Sequence, residues 1–135
     1  EYLANQLVKM GLLCVTSQTP HTIYSLIDQS KKDTVLFLIS ESGETREVIK
    51  TASIAKEHDM PIIAMTRMAK NTLHSYADLI LKTVSFETET RLNVTTMRCS
   101  QLYLIDALYL NIMKSHFNKF SKMIERAERL SDRKL

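Results

Sequence analysis

The sequence predicts an α/β domain built on a parallel sheet. Three observations point there. Short apolar runs alternate along the chain with helical segments, the order of βαβ units. The clearest run, Thr34–Ile39, is continuously apolar rather than alternating, as expected of a strand covered on both faces. Only 2 glycines occur in 135 residues, too few for the positive-φ turns of an all-β fold. The length suits one domain, residues 1–135. With 44% apolar and 24% charged residues, the composition excludes a disordered chain.

Taken in order, Tyr2 to Met10 reads as a helix with Leu3, Leu7 and Met10 on one face. Gly11 suits the left-handed position beyond its end. Leu12–Thr16 is a short apolar run and a candidate buried strand. Pro20 opens a helix to about Gln29, with Ile23 and Ile27 spaced i, i+4. After the polar turn Lys31–Asp33 and the strand Thr34–Ile39, Ser40 to Gly43 breaks the pattern. A helix follows to about His58, with Val48, Ala52 and Ala55 on one face. Pro61 introduces the strand Ile62–Thr66, Asn71–Tyr76 is a short helix, and Leu79–Lys82 is a further strand. Thr95–Lys114 is a long helix, apolar around nearly its whole circumference apart from Asp106 and Asn111. Such a helix is buried on more than one side, and a second copy of the chain is the expected cover for the side the sheet leaves. Asp106 needs a hydrogen-bond partner there. Residues 116–135 are expected to be an amphipathic helix carrying Phe117, Phe120, Met123, Ile124, Ala127 and Leu130.

Charge is unevenly spread. Residues 1–113 carry 11 basic and 12 acidic side chains, and residues 114–135 carry 7 and 3. The tail excess reads as a solvated helix face, with polyanion binding as the alternative. Cys14 and Cys99 form no CxxC; Cys14 reads as a small core residue, and a reducing, cytoplasmic compartment is expected. No run of about 18 apolar residues spans a membrane. His21, His58, His74 and His116 lack metal-ligand spacing, so neither a metal nor a cofactor is expected.

The segment that carries chemistry is Ser40-Glu41-Ser42-Gly43-Glu44-Thr45. It joins the carboxyl end of a strand to the amino end of a helix, where ligands of open α/β sheets bind. A helix amino end offers unpaired N–H groups and the positive end of its dipole. Three hydroxyls and a glycine that permits close approach complete a cradle for a phosphate monoester. The plainer reading is that Ser42 caps the helix, with Thr45 at its third position and Glu44 and Glu47 suiting the dipole. It requires neither Ser40 nor Gly43.

The Ser-x-Ser-Gly-x-Thr pattern at 40–45, followed by Ala55-Lys56, Pro61-Ile-Ile-Ala-Met-Thr66 and Ala77-Asp78, resembles the sugar isomerase (SIS) domain over roughly residues 2–110. The stretch Arg98-Cys-Ser-Gln-Leu-Tyr-Leu-Ile-Asp106-Ala-Leu resembles the form found in RpiR-type bacterial transcriptional regulators. Those proteins join a helix-turn-helix domain to a phosphosugar-sensing SIS domain. The resemblance implies a three-layer α-β-α sandwich, flavodoxin-like, with five parallel strands, usually dimeric. It implies that Ser40, Ser42 and Thr45 hold the phosphate with the backbone of Gly43 and Glu44. In the family, a first strand and a Gly/Ser turn that completes the site precede the position of Glu1. Glu1 itself falls inside a helix without a cap, so the domain is expected to extend upstream. Glu41 fills a variable position, where a carboxylate is unfavourable beside phosphate unless it points away or binds sugar hydroxyls.

The expected phosphosugar site is therefore Ser40, Glu41, Ser42, Gly43, Glu44 and Thr45. In the loop carrying Glu87, Glu89 and Arg91, Glu89 is a possible sugar contact, with a plain solvated loop as the alternative. No catalytic residue is assigned. The leading reading is the effector-sensing, dimerising domain of an RpiR-type regulator, a homodimer or higher oligomer that reaches DNA only through a helix-turn-helix domain not in this chain. The rivals are a sugar-phosphate isomerase and a purely structural dimerisation domain.

Overall fold

The structure is a computed structural model that describes residues 1–84 and 92–131. In chain order its elements are α1 (Tyr2–Lys9), α2 (Pro20–Asp28), β1 (Leu36–Ile39), α3 (Arg46–Glu57), β2 (Ile62–Arg67), a 3₁₀ turn (Thr72–Ser75), β3 (Leu79–Thr83), α4 (Leu92–Ser115) and α5 (Phe117–Ser131). They divide into two compact units: Ser17–Gln101, and Glu1–Thr16 with Leu102–Leu135.

The first unit holds the sheet, in the order β1-β2-β3 and parallel throughout. Leu36 stands opposite Ile62, and Ile63 opposite Leu79. Its core joins Ile27 of α2, Leu38, Ala52 and Ala55 of α3, Met60, Ile62, Ala64 and Leu73. The two alanines keep the buried stripe of α3 small enough to lie close to the strands. Asp59, at φ 52°, takes the left-handed position after α3, and Met60 N–H closes the turn on Ala55 O (3.0 Å). Asp78 ties the start of β2 in place: its Oδ2 accepts from Ile62 N (2.8 Å) and its Oδ1 from Lys56 Nζ (3.3 Å). The backbone N–H of Ile62 together with Lys56 holds the Asp78 carboxyl below the usual range.

In the second unit Gly11 has φ 78°. Leu12 N–H bonds Leu7 O (3.1 Å) and Gly11 N–H bonds Val8 O (2.9 Å), the Schellman ending expected of α1. Asp106 finds its partner in Tyr2, whose hydroxyl donates to Oδ1 at 2.9 Å; the carboxylate is exposed, not buried.

Three expectations are corrected. Leu12–Thr16 is not a strand, and Leu13 is 95% exposed. An apolar run becomes a strand only by pairing with another segment, and among the described residues the sheet consists of β1-β2-β3 alone. Among the described residues the sheet has three of the five strands of the family pattern. Cover on both faces of β1 is incomplete: Ile39 is half exposed, on the sheet face opposite Leu38 and the α3 core. Cys14 is half-buried rather than a core residue.

Candidate phosphate-binding site

The loop Ser40–Thr45 links β1 to α3 at the carboxyl end of the sheet. It closes on itself. Gly43 N–H donates to Ser40 O and to Ser40 Oγ, both at 3.2 Å, with Gly43 at φ 66°. Ser40 is buried and its Oγ lies 3.0 Å from Thr45 Oγ1. Ser42 Oγ accepts from Glu44 N at 3.1 Å. The helix starts at Arg46 with Thr45 at the N-cap position, and no side chain caps it. The capping alternative for Ser42 is therefore corrected: Ser42 stabilises the loop ahead of the helix, while the first-turn amides of α3 lack a side-chain acceptor.

The loop has hydroxyl protons to donate. Ser42 Oγ is an acceptor towards Glu44, so its own proton is free. One proton serves the Ser40–Thr45 pair, leaving the other available. Two hydroxyl protons and the helix amides can thus point at one anion.

A second loop braces the first. Leu73 N–H donates to Gly43 O (3.1 Å) and Arg67 N–H to Glu41 O (3.0 Å). The space where a Cβ on Gly43 would stand is filled by the Asn71 side chain. Asn71 Nδ2 donates to Thr66 Oγ1 (3.1 Å) and Ala69 O (3.0 Å), and its Oδ1 accepts from His74 N (3.3 Å). Thr66 Oγ1 and His74 Nε2 lie 2.7 Å apart.

The two acids of the loop are engaged elsewhere. The Glu44 carboxylate accepts from Thr72 N and Thr72 Oγ1, each at 2.7 Å. The Thr72 hydroxyl and then its amide hold the Glu44 carboxyl below the usual range, with Arg67 adding to the effect. Glu41 Oε2 lies 3.2 Å from Thr83 Oγ1, which is also 3.1 Å from Thr66 O. The structure thus brings Ser40, Ser42, Gly43 and Thr45 together, while the side chains of Glu41 and Glu44 bond outside the loop. Glu87, Glu89 and Arg91 lie outside the described residues. Sequence reasoning missed Arg67, Asn71, Thr72 and Thr83. Asn71 carried a signal, an Asn ahead of a short helix, where it does act as the N-cap. The other three carried none.

A strand, a hydroxyl-rich loop and an uncapped helix thus stand together at the carboxyl end of a parallel sheet in an α/β domain. The SIS domain family model matches residues 1–111, and the chain belongs to that family. An uncharacterised HTH-type transcriptional regulator of Thermotoga maritima is 33% identical over 105 residues, which are 78% of this chain and 38% of that protein. The chain therefore spans well under half of that relative. Among solved structures, the Vibrio vulnificus NanR protein complexed with ManNAc-6P aligns with a TM-score of 0.85 at 22% identity, over 96% of this chain and 48% of that one. The sugar isomerase domain of an RpiR transcription factor from Sphaerobacter thermophilus aligns at 0.75 and 14% identity, over 95% and 70%. These two likenesses establish the fold.

Proposed function

We propose that this chain is the phosphosugar-sensing domain of an RpiR-type transcriptional regulator and not an enzyme. The observation that carries the reading is the uncapped amino end of α3 beside two hydroxyl protons with no protein acceptor. Ser40, Ser42 and Thr45 hold the phosphate, with the backbone of Gly43 and Glu44. The regulator description of the Thermotoga relative and the ManNAc-6P bound to NanR support the ligand class and the role. DNA contact belongs to a helix-turn-helix domain outside this chain.

The chain works as a dimer or higher oligomer through α4. Leu102, Tyr103 and Leu110 are exposed there, and Phe117 follows on α5. An apolar surface of that kind associates.

The test is calorimetry of the full-length protein with inorganic phosphate and a sugar-phosphate panel that includes ManNAc-6P. A hydrogen bond to a charged group contributes about 1.5–3 kcal/mol, so Ser42→Ala weakens binding by about ten- to a hundredfold. Unchanged affinity in the Ser40→Ala, Ser42→Ala double variant, or aldose–ketose turnover of any panel member, refutes the reading.

A further inference from the structure

We propose that Glu41 and Arg67 form a pair that reads the hydroxyl-bearing part of the ligand, and so decide which sugar phosphate the domain accepts. The inference rests on the phosphate cradle proposed above.

The backbone places the two side by side. The β1–β2 register, Leu36 with Ile62 through Ile39 with Met65, is continued by Ser40 N–H to Met65 O (3.0 Å) and Arg67 N–H to Glu41 O (3.0 Å). Arg67 is in turn the register partner of Thr83 on β3. Glu41, Arg67 and Thr83 therefore form a row across the carboxyl ends of all three strands. That crest is where open α/β sheets bind ligands, and Glu41 stands between Ser40 and Ser42.

Each member of the pair has an unanswered polar atom. Glu41 Oε1 and Arg67 Nε are both buried and neither has a hydrogen-bond partner. Such orphans are rare, and each costs stability until something pairs with it. One atom accepts and the other donates. Yet the two residues make no ion pair with each other, the ion pair among the described residues being Lys56–Asp78. Both side chains are long and only half-buried, so torsional adjustment brings Oε1 and Nε to a ligand lying over the crest.

The chemistry of the missing partner follows. Glu41 needs a donor and Arg67 an acceptor. A hydroxyl is both, so one sugar hydroxyl, or two adjacent ones, satisfies the pair. A fully ionised phosphate monoester cannot answer Glu41 through its phosphate group, because the terminal oxygens are then anionic acceptors and the carboxylate repels them. The pair thus rewards a phosphate monoester that brings a hydroxylated carbon chain over one whose chain has no hydroxyls. Thr83, beside Oε2, orients the carboxylate.

The experiment is titration calorimetry of the full-length protein with inorganic phosphate, hexyl phosphate and a panel of hexose and N-acetylhexosamine 6-phosphates. Hexyl phosphate carries the charge and the carbon chain without hydroxyls. The wild type is expected to bind at least one sugar phosphate about tenfold or more tightly than hexyl phosphate, and Glu41→Gln and Arg67→Lys each to reduce that preference about tenfold. Gln keeps the shape of Glu, and Lys keeps the charge of Arg but has no Nε. Thr83→Val is expected to reduce the preference as well, through the carboxylate it orients. The inference is overturned if the wild type prefers no sugar phosphate over hexyl phosphate, or if the preference survives either substitution. Failure of the cradle reads differently: Ser42→Ala then leaves the affinity for hexyl phosphate and inorganic phosphate where it was.

Discussion

Replacing Gly43 by alanine tests the loop and its brace at once. Gly43 sits at φ 66°, where a side chain costs about 1–2 kcal/mol. The new methyl would also overlap the Asn71 side chain, whose oxygen, carbon and nitrogen all stand in its place. Asn71 must swing away and loses two of its three bonds to Thr66, Ala69 and His74. With a net of about 0.5–1.5 kcal/mol for each bond and two of the three lost, that adds about 1–3 kcal/mol. The total is about 2–5 kcal/mol. At this chain length each kcal/mol lowers the melting temperature by about 4 °C, so the fall is about 8–20 °C, read by calorimetric or circular-dichroism melting. Repeating the substitution in an Asn71→Ala background separates the two parts. There the overlapping atoms are gone, and only the backbone cost of about 1–2 kcal/mol remains. A fall of under about 3 °C in the single variant, or strict additivity in the double, refutes the bracing of the loop by Asn71.

Two further outcomes follow. The Asp78 carboxyl is held below its ordinary value by Ile62 N–H and Lys56, so its contribution is fully present above the unfolded carboxylate range and disappears as pH falls through the folded value; Asp78→Asn lowers the melting temperature at pH 7 and flattens its decline between neutral and acid pH. For the α4 surface, sedimentation of the full-length protein is expected to show a dimer or larger species at micromolar concentration, converted to monomer by Leu102→Asp with Leu110→Asp; a monomeric wild type, or a double variant still associated, sinks that reading.

Much of the fold was legible because its signals are local. Gly11 beyond an amphipathic segment marks the end of α1, and Pro20 marks the start of α2. Continuous apolar runs locate β1 and β2, and the small residues Ala52 and Ala55 mark the buried face of α3. The cradle was legible for the same reason, since Ser40, Ser42, Gly43 and Thr45 lie within six residues and close on one another. The run Leu12–Thr16 shows where local reading stops. Its composition is that of a strand, but strand pairing is a property of two segments.

By itself, then, the sequence determined the helices and three strands in their order, the parallel sheet, the left-handed Gly11 and the hydroxyls of the loop. Each of these depends on residues no more than a few positions apart. Only the tertiary structure decided that Ser42 caps nothing, that Glu44 clasps Thr72, that Asn71 fills the space beside Gly43, and that Glu41 reaches Thr83 and stands in register with Arg67. These pairs are 26 to 42 residues apart, as Glu41–Arg67 and Glu41–Thr83 show. No periodicity or spacing encodes them, because they form only when parallel strands bring the ends of separate loops to one edge of the sheet.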